Sequence, residues 1–295
     1  SSAASDVYKR QLRKQFFGVF KNFKKKLVKT ILSSAWPIAI SGVLGAFMLN
    51  IDIVMIGMFR NAADVGLYSA GQKIIGLLYT LPALLSASLF PIISKLAEKK
   101  EHKKSAEVMR RGMTTVFLIA IPIVVGGMIL ANDIMGFLFG SEFQVGKAVL
   151  AFRILLITPI IIYPGALLGN YILAYDKQKK TALIVGLGSL ANIIFNLLLI
   201  PVLGIVGSAI STIGSTSVLY GNMWKLAKKI NNFYVVRHLK KIILSAVLMG
   251  ILVMVLKSLE VHLLITMLAS GLFYLIALYL LKENTLSEVR SALSS

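Results

Sequence analysis

Apolar residues along this chain gather into runs near the length that carries a helix across a hydrocarbon core, about 20 residues, with short polar breaks between them. Eight such runs stand out: Ile31 to Phe59, Leu67 to Ile93, Met113 to Ala131, Ala148 to Leu173, Thr181 to Ile200, Ile205 to Trp224, Ile242 to Leu256 and Leu263 to Leu281. Runs this long predict helices. The predicted fold class is therefore all-α: a polytopic membrane helical bundle of about eight transmembrane helices.

The polar breaks are not alike. Nine lysines and arginines precede the first run, from Lys9 to Lys29. Seven more lie between Lys95 and Arg111, three between Lys177 and Lys180, six between Lys225 and Lys241, and Lys282 and Arg290 follow the last run. These account for 27 of the 32 basic residues. The alternate breaks, RNAADVG, NDIMGFLFGSEFQVGK, PVLGIVG and KSLEVH, hold almost none. Positive loops stay on the cytoplasmic side, so the pattern predicts two cytoplasmic termini and an even number of spans. It also decides what the net charge of +20 means. The charge is spread over short loops rather than collected on one recognition element, which argues against nucleic acid and for contact with anionic lipid headgroups.

Composition agrees. The chain is 57% hydrophobic and 15% charged, where soluble domains carry about 25% charged residues. Without cysteine there is no disulfide framework, thiolate metal site or cysteine nucleophile. SSAASDVYKRQ at the start has no apolar core and is no signal peptide; residues 1–11 read as a leader, scar or assembly artefact. LRKQFFGVFKNFKKKL, from Leu12 to Leu27, mixes phenylalanines with lysines and arginines. It reads either as a basic amphipathic helix on the inner leaflet or as an ordinary linker. Trp36, Trp224, Tyr171, Tyr175 and Tyr220 fall near the expected cytoplasmic ends, where amphipathic rings anchor to headgroups.

The runs are interrupted in ways a plain anchor would not need. Pro37, Pro82, Pro91, Pro122, Pro159, Pro164 and Pro201 lie in or at the ends of spans. Each removes a backbone donor, and in lipid the freed carbonyl needs another partner. ITPIIIYPGALLGN reads as a discontinuous helix of the kind that lines transporter cavities. GSAISTIGSTS and GLGSLAN supply small and hydroxyl residues for close helix approach.

Ionisable residues inside spans are few, and each costs about 2.5–3.5 kcal/mol at a helix centre. Asp52, Lys73 and Arg153 sit seven or eight residues in from the outer turns, about 12 Å down at 1.5 Å per residue. One reading pairs Asp52 with Lys73 across the first hairpin, with Arg153 snorkelling outward. The other makes Lys73 and Arg153 a cationic patch for phosphate, partly neutralised by Asp52. Gln72, Asn50 and Asn170 add polar groups. Asn192 and Asn196, four apart, share a helix face; they either contact sugar hydroxyls or join helices.

Enzyme chemistry finds little support. His102, His238 and His262 lack partners at metal-ligand spacing, and the chain has no GxxxxGK[ST] loop. No cofactor or metal is expected.

NIDIVMIGMFRNAADVGLYSAGQKI, LPALLSASLFPIISKL, ILANDIMGFLFGSEF and NIIFNLLLIPVLGIVGSAISTIGS together resemble the polysaccharide-biosynthesis flippases (the Wzx type) of the multidrug/oligosaccharidyl-lipid/polysaccharide exporter superfamily. These phrases span Leu32 to Trp224. The resemblance implies two six-helix lobes around a cavity with cationic residues. It implies translocation of polyprenyl-diphosphate-linked oligosaccharide across the cytoplasmic membrane by alternating access without an ATPase. Energy would come from a coupling ion or from the substrate's own gradient, and the expected partners are the lipid-linked oligosaccharide, membrane lipids and a polysaccharide polymerase or glycosyltransferase. The family has about 12 to 14 spans where this sequence has about eight. The expected organisation is residues 1–29 as a leader and cytoplasmic segment, 30–231 as the second lobe, and 232–295 as two additional helices and a tail, with the first lobe missing. Under this reading the candidate substrate-binding residues are Lys73, Arg153, Asp52, Gln72, Asn192 and Asn196. The alternatives are an exporter of lipid-linked peptidoglycan precursor or organic cations, and, from another class, a membrane-embedded glycosyltransferase or polymerase.

Overall fold

A computed structural model describes residues 25–144, 146–233 and 239–281. The described residues form ten α-helices and one 3-10 turn: α1 Lys25–Phe59, α2 Ala62–Leu78, α3 Thr80–Glu98, α4 His102–Phe139, α5 Gly146–Leu155, α6 Thr158–Ala174, α7 Gln178–Leu203, α8 Ile205–Ile230, α9 Leu239–Ser258 and α10 Leu263–Leu280. The protein is an all-α, multi-pass membrane bundle. Leu12 to Lys24, most of the expected amphipathic segment, lies outside the described residues, as do Arg237, His238 and the tail from Lys282.

Two of the expected spans are each made of two helices. Leu67 to Ile93 falls on α2 and α3, which break at Tyr79; Ala148 to Leu173 falls on α5 and α6, which break at Leu156 and Ile157. Each break comes two or three residues before a proline, Pro82 or Pro159, as expected where a proline ring crowds the preceding backbone. Among the described residues, counted as continuous segments, seven stretches are long and apolar enough to cross a membrane. The expected span at Ile205 to Trp224 is not among them, although it forms the 26-residue α8. Its serines, threonines and glycines dilute its hydropathy because it is packed against α5, α6 and α7 rather than against lipid.

Freed carbonyls find partners as the prolines require. Pro122 cannot donate to Leu118, and the Tyr274 hydroxyl of α10 donates to that carbonyl at 2.8 Å. That bond crosses from the α9–α10 pair to α4, the helix on which the pair packs. Lys257 of α9 adds an ion pair to Asp133 of α4 at 2.5 Å. Asp133, expected in an outer loop, is thus a helical residue that helps hold α9.

The joint between α7 and α8 leaves no room for side chains. Gly204 has φ +61°, a left-handed conformation that favours glycine. A Cβ on Gly207 would sit 2.3 Å from the Leu199 carbonyl oxygen. Arg60, at the end of α1, reaches this joint and donates to the carbonyls of Ile200 (3.0 Å) and Pro201 (2.8 Å). It thereby pairs the Pro201 carbonyl at the end of α7 and adds a second donor to the Ile200 carbonyl, which also accepts from the Gly204 amide at 2.8 Å.

The expected aromatic anchors divide. Trp36 is about half exposed, as an interfacial ring should be. Tyr171 is fully buried, and with Tyr175, Trp224 and Phe233 it forms a packed aromatic cluster. Asn231 donates to both tyrosine hydroxyls, so these rings tie α6 to the end of α8 instead of facing headgroups.

Candidate functional site

The first hairpin places the site. Its turn is tighter than RNAADVG: α1 ends at Phe59, and Asn61 caps α2 by accepting from the Asp64 amide at 2.9 Å. Only Arg60 and Asn61 lie between the helices. Asp64, in the first turn of α2, suits the positive end of the helix dipole and pairs with Lys147 of α5 at 2.6 Å.

Asp52 is 2% exposed, and Lys73 is not its partner. Its carboxylate accepts from the Tyr68 hydroxyl of α2 (3.0 Å), the Thr212 hydroxyl of α8 (2.7 Å), and the side-chain amides of Asn192 (3.2 Å) and Asn196 (2.7 Å) of α7. Four helices therefore converge on one buried carboxylate. Asn192 also donates to Ser215 at 3.2 Å, and Asn196 to Asn192 at 3.3 Å. The reason Lys73 is elsewhere is helical phase. It follows Tyr68 by five residues, which turns it about 140° around α2. When Tyr68 faces Asp52, Lys73 faces away.

The expected site residues thus separate into two groups. Asp52, Asn192 and Asn196 are brought together and buried. Lys73 is exposed, with no ion pair among the described residues. Arg153 is exposed on α5, and its Nε donates to the Met128 carbonyl of α4 at 3.2 Å. Gln72 donates to the Leu49 carbonyl at 2.6 Å, tying α2 to α1, and leaves its Oε1 buried without a partner. Asn50 bonds within its own helix, to Ala46. Asn170 joins α6 to α3 through Ser86.

Sequence reasoning missed Tyr68 and Thr212. Thr212 lies in the GSAISTIGSTS stretch, read as close-packing residues; its hydroxyl being one turn from Ser208 and Ser215 was the available signal. Tyr68 had no signal beyond its place on the hairpin.

Chemically, the cluster is a negative charge with no positive partner among the described residues. Its donors are neutral, and beside them the Asn196 Oδ1 is buried and unpartnered, as is the Ser208 hydroxyl. The Asp52 carboxylate with these two unpartnered oxygens beside it supplies oxygen ligands of the kind a hard cation takes.

Residues 19–148 match the family described as polysaccharide biosynthesis protein. The probable flippase AglR of Haloferax volcanii is 30% identical over 168 residues, which is 57% of this chain and 35% of that protein. The probable low-salt glycan biosynthesis flippase Agl15 of the same organism is 28% identical over 61% of this chain and 38% of its own length. The putative O-antigen transporter of Shigella flexneri is 25% identical over 64% of this chain and 44% of its own. The chain therefore spans less than half the length of these relatives. Among solved structures, the lipid II flippase MurJ in an inward closed conformation superposes with TM-score 0.63 at 18% identity, covering 92% of this chain and 60% of that one. An outward-facing multidrug resistance transporter of the MATE family gives 0.60 at 18% identity, covering 77% and 53%. In sequence, part of the chain is thus similar to polysaccharide-biosynthesis proteins and glycan flippases, and in fold it is similar to MurJ and to a MATE-family transporter.

Proposed function

We propose that this chain is the substrate- and cation-binding part of a flippase that moves polyprenyl-diphosphate-linked oligosaccharide across the cytoplasmic membrane. The names of its relatives support the class of cargo. The observation that carries the reading is the separation of charges. Lys73 is left facing outward from the described bundle, while the acidic group is sealed inside. An intramembrane cation kept away from carboxylates is suited to an anionic headgroup. Arg153 offers the remaining donors of its guanidinium from α5. The distribution of basic loops supports cytoplasmic termini.

The Asp52 cluster takes the second role, that of the coupling site. The buried carboxylate, with the Thr212 hydroxyl on it and the unpartnered Asn196 Oδ1 nearby, binds one monovalent cation, sodium or a proton. Asn192 and Asn196 serve this site rather than sugar hydroxyls. An organic-cation exporter would expose its carboxylate to the cargo, whereas Asp52 is enclosed.

The test is binding to the purified chain in lipid nanodiscs. Polyprenyl-diphosphate oligosaccharide should bind, and Lys73→Ala and Arg153→Ala should each weaken it about tenfold, the effect of losing about 1.4 kcal/mol. A neutral polyprenyl lipid should bind the native chain and both variants alike. Equal diphosphate binding by all three proteins would remove the reading. For the coupling site, sodium at constant pH, or acid at constant sodium, should raise the melting temperature of the native chain and leave Asp52→Asn unchanged.

A further inference from the structure

Helix α2 carries both a buried donor to Asp52 and an outward-facing lysine, and it is short. It runs from the Asn61 cap to the break at Tyr79, 17 residues in all. Tyr68 is 1% exposed and reaches Asp52 from one side of the helix. Lys73 stands about 140° away on the other side. Beyond Tyr68, the side-chain hydrogen bonds that α2 makes to other helices are few among the described residues: Asp64 to Lys147 at its start, and Gln72 to the Leu49 carbonyl.

The far end is built as a pivot. The Tyr79 hydroxyl meets the Thr158 hydroxyl at 2.7 Å, and Thr158 donates to the Leu155 carbonyl at 2.6 Å. The Tyr163 hydroxyl donates to the Leu78 carbonyl at 2.8 Å. The break after α2 and the break after α5 are therefore bonded to one another at one level of the bundle. The packed core divides at the same level. One buried cluster holds Met55, Ile56, Tyr68 and Phe152; the other holds Ile93, Met113 and Tyr163; Tyr79 packs against both.

We propose that Tyr68 is a positioning residue that links the state of Asp52 to the angle of α2, and so to the placement of Lys73. This rests on the cation reading of the Asp52 cluster. With the carboxylate empty and charged, Tyr68 donates to it and holds α2 against α1 and α8. A sodium ion or a proton on the carboxylate competes for the same oxygen and weakens that bond. α2 then turns about Tyr79, while α3, beyond the break, stays in place.

The chain has no cysteine, so single probes are simple to place. A Cβ on Gly76 meets no atom within 4 Å, and Leu84 is exposed on α3 beyond the break. Gly76→Cys and Leu84→Cys, each carrying an environment-sensitive fluorophore, are titrated in nanodiscs with sodium at fixed pH and with acid in choline. Melting temperature is recorded beside emission. The proposal expects the stabilising cation, whichever it is, to shift emission at residue 76 and not at residue 84. Adding Tyr68→Phe should abolish the emission shift at residue 76. Three results overturn it: an emission shift that survives Tyr68→Phe, an equal shift at residue 84, or stabilisation of the native background without any shift at residue 76. The last two need no Tyr68 variant, so poor folding of that variant leaves the test intact. If neither sodium nor acid stabilises the chain, the cation reading fails and the link falls with it; stabilisation without movement of α2 overturns the link alone.

Discussion

Asp52 shows what burial demands of a single side chain. A carboxylate with no cationic partner survives inside a bundle only if its lone pairs are answered, and four donors from three other helices answer them. Removing one donor strands part of that charge. Thr212→Val, which keeps shape and deletes the closest hydroxyl, should lower stability by about 1–3 kcal/mol, read as denaturant-dependent unfolding in mixed micelles. Asp52→Asn in the same background should recover part of the loss, because the amide no longer needs that donor. Full additivity of the two changes would contradict the shared network. Gly207 is a second residue whose identity is dictated locally. Gly207→Ala would press a methyl group against the Leu199 carbonyl, and it should destabilise the chain by about 1–3 kcal/mol by overpacking, visible as a lower melting temperature.

The elements were legible where their cause was local. Runs of apolar residues gave the positions of the helices, and prolines marked where two of them break. α8 was also legible as a helix, although its small polar residues belong to a buried interface. What could not be read was the partner of each polar group. Asp52 and Lys73 fall at matching distances from the turn, which made an ion pair one of the two readings, but α2 turns Tyr68 toward Asp52 and Gly71 toward Phe152, 81 residues away. Tyr274 is a comparable case. The need for a donor to Leu118 follows from Pro122, but only the folded chain shows that α10 supplies it. This makes a clear test. Tyr274→Phe should loosen the α9–α10 pair from α4, at a cost near the ~0.6 kcal/mol average for hydrogen bonds between membrane helices. In a Pro122→Ala background, where residue 122 can bond Leu118 itself, the same change should cost less. An undiminished cost would show that the carbonyl is not what Tyr274 serves.

At the level of the whole chain, charge is sorted twice. Lysines and arginines gather in alternate loops, and within the spans an outward-facing lysine is separated from a sealed acid. The apolar surface is sorted as well: only 11% of the most apolar stretch of α1 is buried, against 61% for the α5–α6 segment. Apolar side chains gain little by leaving lipid for one another, so α1 can remain exposed along Ile31, Leu32, Val43 and Val54 without penalty. Its inward face at depth is narrow: Met48, Asp52, Met55 and Ile56 are buried, and Asp52 is the one ionisable group among them. The central claim is that the buried acid and the outward-facing cations do different jobs that communicate. The most direct measurement is the affinity of the nanodisc-embedded chain for polyprenyl-diphosphate oligosaccharide, taken with and without the stabilising cation. The account predicts that the cation changes this affinity about 5–150-fold, the usual range of a coupling free energy, and that Asp52→Asn removes the dependence while Lys73→Ala weakens binding in both conditions. Unchanged affinity with and without the cation, in a chain that binds both, would contradict it.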